Sequence, residues 1–101
     1  MKKIMLCCAA GMSTSLLVTK MEQSAKDQQI EAEIWAVPVE EAKDKAIEAD
    51  VILLGPQIRY MVNQVKKVAS EHGIQAEVIN AMDYGMINGE AVLKQALKLI
   101  R

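Results

Sequence analysis

Cys7 and Cys8 stand side by side, and the second opens the run Cys8-Ala9-Ala10-Gly11-Met12-Ser13-Thr14-Ser15. This run joins an apolar segment to a helical pattern through small residues, so several backbone N–H groups can turn inward on one point while the helix offers its positive end. The result is an anion cradle. A thiol at its first position is favoured as thiolate by the same amides and dipole, which makes Cys8 the candidate nucleophile. Ser13, Thr14 and Ser15 each suit a helix cap, yet three hydroxyls in succession exceed what one cap uses. No Lys or Arg lies between Lys3 and Lys20, so neutral dipoles have to hold any anion here. Gly11 is the position most dependent on backbone freedom. Cys7 reads as inert filling of a buried strand, because neighbours in an extended chain point to opposite faces and cannot easily bridge.

The elements that position this run follow from periodicity and punctuation. Lys3 to Cys7 is a short apolar run, read as a buried strand. From Ser13 to about Gln28, Leu16, Leu17, Met21 and Ala25 recur at helical spacing against Lys20, Glu22, Lys26 and Asp27. Ala32 to Val37 is a second strand closed by Pro38, and Val39 to Ala49 reads as a short charged helix with Ala42, Ala46 and Ile47 inward. Val51 to Leu54 is a third strand, cut by Gly55-Pro56. Ile58 to about His72 is a helix with Met61, Val62, Val65 and Val68 or Ala69 on one face, ended by Gly73. Glu77 to Ile79 supplies a fourth strand and Glu90 to Ile100 the closing helix.

Strands alternating with helices imply right-handed crossovers and an α/β fold, a four-stranded parallel sheet with helices on both faces. The first strand is uniformly apolar and belongs in the centre, while the second carries Glu31 and Glu33 and belongs at an edge. The expected order is 2-1-3-4, with the phosphate loop after strand one. Ligands then gather outside the carboxyl ends at the switch point between strands one and three, where the Cys8 to Ser15 and Gly55 to Ile58 loops meet.

Composition narrows the function classes. The chain has 101 residues, 12 basic against 13 acidic, and no block of five like charges, so it offers no basic field for nucleic acid. A chain of this length suffices for one domain, 1–101, with one modest core. Most of the seven methionines are expected to fill that aliphatic core. No CxxC or Cys/His cluster exists, which leaves zinc and thioredoxin chemistry without their signatures, and no metal or cofactor is expected. Two free thiols fit a reducing, cytosolic setting. Met1-Lys2-Lys3 followed by Ile4 to Ala10 imitates the start of a signal peptide, but cleavage would remove the best strand. The longest uncharged run, Ile4 to Thr19, falls short of the ~20 apolar residues of a membrane span.

The segment Cys8 to Ser15, together with Gly55-Pro56-Gln57-Ile58 and Tyr60-Met61, resembles the IIB component of the phosphoenolpyruvate-dependent sugar phosphotransferase system, of the lactose, cellobiose and chitobiose type. The resemblance extends over essentially the whole chain. It implies a phosphocarrier in which Cys8 takes a phosphoryl group from a phosphohistidine on the IIA protein and passes it to a sugar entering through the membrane-embedded IIC protein. A β-linked disaccharide such as cellobiose, chitobiose or lactose is the implied substrate. The implied cradle is Ala9, Ala10, Gly11, Met12, Ser13, Thr14 and Ser15, and the implied location is cytoplasmic, peripheral to the transporter. Gln57, in the neighbouring loop, could touch the phosphoryl group or a partner, or simply hold the turn after Pro56. Arg59 is the nearest candidate cation and reads as a solvated helix residue. One face should serve both proteins in turn: Met12 and the first turn of helix one, the Gly55 to Tyr60 loop, and the turn around Asp83 and Tyr84.

The rival is a hydrolase resembling low-molecular-weight tyrosine phosphatases, which use a cysteine at the end of a first strand and an arginine six residues later. Thr14 holds that position here. Without the arginine that clamps the transition state, and with Asp83 as the sole imaginable acid, hydrolysis is disfavoured. A receiver-type binding domain needs an acidic cluster after strand one, where cysteine and alanine stand. His72, just before Gly73, suits a helix end better than a phosphohistidine.

Overall fold

A computed structural model describes residues 1–8 and 12–100, with Met12 and Ser13 described by their backbone alone. Four strands, β1 (Lys2–Cys8), β2 (Ala32–Pro38), β3 (Val51–Leu54) and β4 (Gln75–Val78), form one parallel sheet in the order β2-β1-β3-β4. The expected order holds for the expected reason. β1 and β3 carry the apolar runs and lie between neighbours, with Ile4 to Cys8 and Val51 to Leu54 all buried, and β2 and β4, with Glu33 and Glu77 inside them, take the two edges.

Strand alternation divides the core into two layers. Ile4 and Leu6 of β1, with Val51 and Leu53 of β3, face a layer closed by α1 (Met12–Asp27) and α5 (Gly89–Leu99). Met5 and Cys7, with Ile52 and Leu54, face the other. That second layer is closed by α3 (Val62–Glu71) and by the segment 39–48, in which the short α2 (Ala42–Lys45) lies between two 3-10 turns. Helices therefore cover both faces.

Several details depart from the periodic reading. In α1 the buried stripe is Thr14, Leu17, Met21 and Ala25, spaced three, four and four, whereas Leu16 is half exposed. A threonine holds the place expected for leucine. Ile47 is 74% exposed, although Ala42 and Ala46 are buried as expected, because the 3-10 turn at Ala46–Glu48 winds tighter than an α-helix and carries Ile47 off the inward line. The expected Ile58 to His72 helix is a 3-10 stretch, Pro56–Met61, followed by α3. Ile58 is non-helical at φ -119°, ψ 25°, and its side chain is buried. Gly73 at φ 70° ends the helical run as read, and β4 then starts at Gln75, earlier than expected, because Gln75 pairs with Val51. The methionine expectation was too generous: Met5 and Met21 are buried, but Met1, Met82 and Met86 are at least 70% exposed.

The turn expected around Asp83 and Tyr84 is a short helix, α4 (Ala81–Gly85). Asn80 caps it, its side chain accepting from the Met82 and Asp83 N–H groups at 3.0 and 3.1 Å. Beside it, a side chain takes the place of a strand at the carboxyl end of the open edge of β4. The Gln95 amide donates to the Val78 carbonyl at 2.9 Å and its carbonyl accepts from the Asn80 N–H at 3.2 Å, which satisfies ladder groups that would otherwise invite another chain.

Candidate functional site

Cys8 is the last residue of β1, and the strand period places it on the α1 side of the sheet with Ile4 and Leu6, opposite Cys7. Both thiols are free and buried, but their surroundings differ. Cys7 packs in the second core layer with Met5, Ile52 and Leu54. Cys8 belongs to neither apolar layer. Its thiol leans on one backbone group, donating to the Val37 carbonyl at 3.8 Å.

Burial pushes the Cys7 thiol up to about 12 from an ordinary value of 9.0, and the neighbouring Cys8 adds to the rise. Cys7 therefore stays protonated and poorly nucleophilic at neutral pH. The same shift has a consequence for stability. Between pH 9.0 and about 12 the unfolded chain ionises this thiol while the folded chain keeps its proton, so the unfolded state binds fewer protons and stability falls as pH rises. A Cys7→Ala variant should lose less stability than the parent between pH 9 and 11, measured by denaturant midpoint at each pH; parallel slopes would contradict it.

The carboxyl end of the sheet brings the second loop to the same place. Leu54 pairs with Cys7, and the next residue continues the ladder, the Gly55 N–H donating to the Cys7 carbonyl at 2.9 Å. Gly55 is thus level with Cys8. From it the chain turns through Pro56 into the 3-10 stretch, and the Gln57 side chain folds back: a β-carbon at Gly55 would lie 2.6 Å from Gln57 Oε1. Gln57 Nε2 donates to the Tyr84 hydroxyl at 3.1 Å, so α4 and the loop after β3 are tied side chain to side chain. Sequence reasoning named both residues without pairing them, because a separation of 27 positions leaves no periodic signal.

Of the expected cradle, Ala9, Ala10 and Gly11 lie outside the described residues. Met12 and Ser13 open α1, which begins four residues after Cys8. Thr14 is 1% exposed, and its hydroxyl has no hydrogen-bond partner among the described residues. Ser15 is exposed, and its carbonyl accepts from the Thr19 hydroxyl at 3.2 Å. A buried hydroxyl without a partner costs about 1–3 kcal/mol, so its presence in the first turn of α1 calls for an acceptor or donor supplied from elsewhere.

The remaining candidates separate. Arg59 is exposed, as read. His72 is exposed and its backbone N–H donates to the Ala69 carbonyl at the end of α3. Asp83 lines a shallow groove with Asn80, Gln95, Lys94 and Lys98 along β4 and α5, a groove that includes neither Cys8 nor Gln57. Among the described residues no cluster of His, Cys, Asp and Glu could hold a metal ion, and no helix is long and apolar enough to cross a membrane. Exposed apolar residues rim the carboxyl end: Leu16 on α1, Tyr60 after β3, Met82 and Met86 around α4.

Known proteins match this chain over nearly all of it. The family described as the lactose/cellobiose-specific IIB subunit of the phosphotransferase system (PTS) matches residues 3–95. The PTS oligo-beta-mannoside-specific EIIB component of Bacillus subtilis (strain 168) is 49% identical over 100 residues, covering 99% of this chain and 97% of its own. The PTS cellobiose-specific EIIB component of Lactococcus lactis subsp. lactis is 43% identical over 104 residues, covering 98% and 96%. Among solved structures, the cellobiose-specific phosphotransferase IIB component of Borrelia burgdorferi superposes with a TM-score of 0.81 at 39% identity, over 98% of this chain and 91% of that one. The lactose-specific IIB component domain of Streptococcus pneumoniae shares the fold, with a TM-score of 0.88 at 20% identity over 99% and 98%. A parallel sheet with a buried cysteine closing its central strand, in a chain related end to end to these proteins, belongs to the lactose/cellobiose-specific IIB family, whose members are phosphotransferase components of sugar uptake systems.

Proposed function

We propose that Cys8 carries a phosphoryl group between two partners. The phosphohistidine of a IIA protein is the donor: its N–P bond breaks, a bond forms between phosphorus and Cys8 Sγ, and the thiol proton ends on the released imidazole. In the second step the S–P bond breaks, a sugar hydroxyl oxygen takes the phosphoryl group, and the hydroxyl proton returns to the thiol. The sugar is held by a membrane IIC protein, so this chain works in the cytoplasm, peripheral to the membrane. The relatives named for oligo-beta-mannoside and cellobiose support a β-linked disaccharide as the final acceptor.

The observation that carries this reading is the buried Thr14 hydroxyl without a partner, in the first turn of the helix that follows Cys8. A phosphoryl oxygen is the acceptor that hydroxyl lacks, and the amides of Ala9 to Ser13 and the Ser15 hydroxyl complete a neutral cradle. The rim of Leu16, Tyr60, Met82 and Met86 suits partners that dock and release in turn, each burying at most ~1,200 Å² in total.

The phosphatase reading is weaker on two counts. Thr14 replaces the clamping arginine, and Asp83 lines a groove with α5 lysines rather than with Cys8. The phosphocysteine should therefore persist until an acceptor arrives. The test is intact-mass analysis after incubation with phosphoenolpyruvate, the two general phosphotransferase proteins and a IIA of this family. A stable gain of one phosphoryl group is expected. No gain, or rapid turnover of a generic aryl phosphate, would overturn the carrier mechanism.

A further inference from the structure

The Gln57 carboxamide is held by two features of the neighbouring structure. The first is the Tyr84 hydroxyl, which accepts its N–H at 3.1 Å from an adjoining helix. The second is the bare α-carbon of Gly55. Gly55 has φ -63° and ψ 144°, a backbone open to any residue, so glycine is not required there by conformation. What a side chain would meet is the Gln57 carboxamide itself, whose oxygen, carbon and nitrogen lie 2.6, 3.0 and 3.0 Å from a β-carbon at that position. The carboxamide lies over the residue level with Cys8, at the end of the β1–β3 seam. The loop after β1 carries no cation of its own.

We infer that Gln57 is a neutral hydrogen-bonding arm that contacts the phosphoryl group on Cys8, and that Tyr84 and Gly55 are positioning residues acting through it. This rests on the phosphocarrier reading and adds the second loop to the site. An amide suits the task because it donates without neutralising the group, leaving the phosphocysteine transferable. Tyr84 fixes which way the amide faces, and Gly55 leaves it the space to lie flat.

The test uses the full chain and phosphorylated IIA, with single-turnover transfer followed by intact mass as donor concentration varies. Gln57→Ala should slow transfer at saturating donor by about 2- to 10-fold, the range set by one hydrogen bond, and leave the half-saturating donor concentration unchanged. Tyr84→Phe and Gly55→Ala should each reproduce the effect with thermal midpoints close to the parent, since neither removes backbone bonds or buried apolar volume. The double variant Gln57→Ala/Tyr84→Phe should be no slower than Gln57→Ala alone; losses that multiply would sink the positioning role. In isotope-labelled protein the Gln57 side-chain amide resonances should shift on phosphorylation of the parent and stay in place in Gly55→Ala. A parent that is phosphorylated while all three variants keep its rate, or whose Gln57 resonances do not move, overturns the arm alone. A parent that gains no mass overturns the carrier reading and the arm with it.

Discussion

Replacing Cys8 with serine should leave a folded chain that takes up no phosphoryl group, whereas Cys7→Ala should still take up one. The difference follows from where the strand period sends two adjacent thiols. Cys7 is committed to an apolar layer between Met5, Ile52 and Leu54, with its ionisation pushed up to about 12. Cys8 closes the strand outside both apolar layers, with its proton leaning on the Val37 carbonyl, on the side where α1 begins. Alanine is the better control at position 7, because serine would bury a hydroxyl in that layer at a cost of about 1–3 kcal/mol. Intact mass after incubation with phosphorylated IIA reads both variants. Uptake that survives Cys8→Ser, or that maps to His72, would remove the cysteine from the mechanism.

The sequence was most legible where one physical demand dominated. Ile4 to Cys7 and Val51 to Leu54 had to be central strands because nothing in them tolerates water, and their charged counterparts Glu31, Glu33 and Glu77 had to lie at edges. The proposed nucleophile stands out because a thiol followed by small residues and hydroxyls has few other uses. Legibility failed where two demands compete at short range. In 39–48 the chain alternates 3-10 and α turns, so a single 3.6 period misplaced Ile47. In α1, hydrophobicity alone chose Leu16 over Thr14, although the buried line runs through Thr14. The same threonine is what makes the start of α1 polar inside. The Gln57 to Tyr84 link was illegible for another reason: the expected order already made strands three and four neighbours and put both segments on one face, but nothing in a sequence marks which side chains meet across it. Asn80 did carry a readable signal for α4, as a capping residue before Ala81.

A different position tests how the helices that frame the site are held. Gly89→Ala should destabilise the protein by about 1–3 kcal/mol and Gly89→Val by more, with denaturant midpoint as the measure. Two effects oppose each other at this residue. Glycine in a helix is about 1 kcal/mol worse than alanine, so the substitution would help if space allowed, though less at the first residue of α5 than in its interior. Space does not allow it: a β-carbon at Gly89 would stand 2.5 Å from the carbonyl carbon of Lys20 and 2.7 Å from its oxygen, in the middle of α1. The obstacle is helical backbone, which cannot swing aside as a side chain does. Nor can α5 retreat easily. Its start is fixed by the Asn88 side chain, which accepts from the Ala91 N–H at 3.1 Å, and by Ile87, which packs against the core at φ 53°. Val92 and Leu93 anchor the next turn in the same layer as Leu17 and Met21. Relief must come by moving α1 along its own length or away from β1, and either motion shifts the first turn that carries Thr14. Gly89→Ala should therefore also slow phosphoryl uptake by Cys8, although the position faces the flank of α1 and no partner. A variant as stable as the parent would show that α1 and α5 give way without resistance; one that loses stability but transfers at the parent rate would show that the start of α1 does not follow its middle.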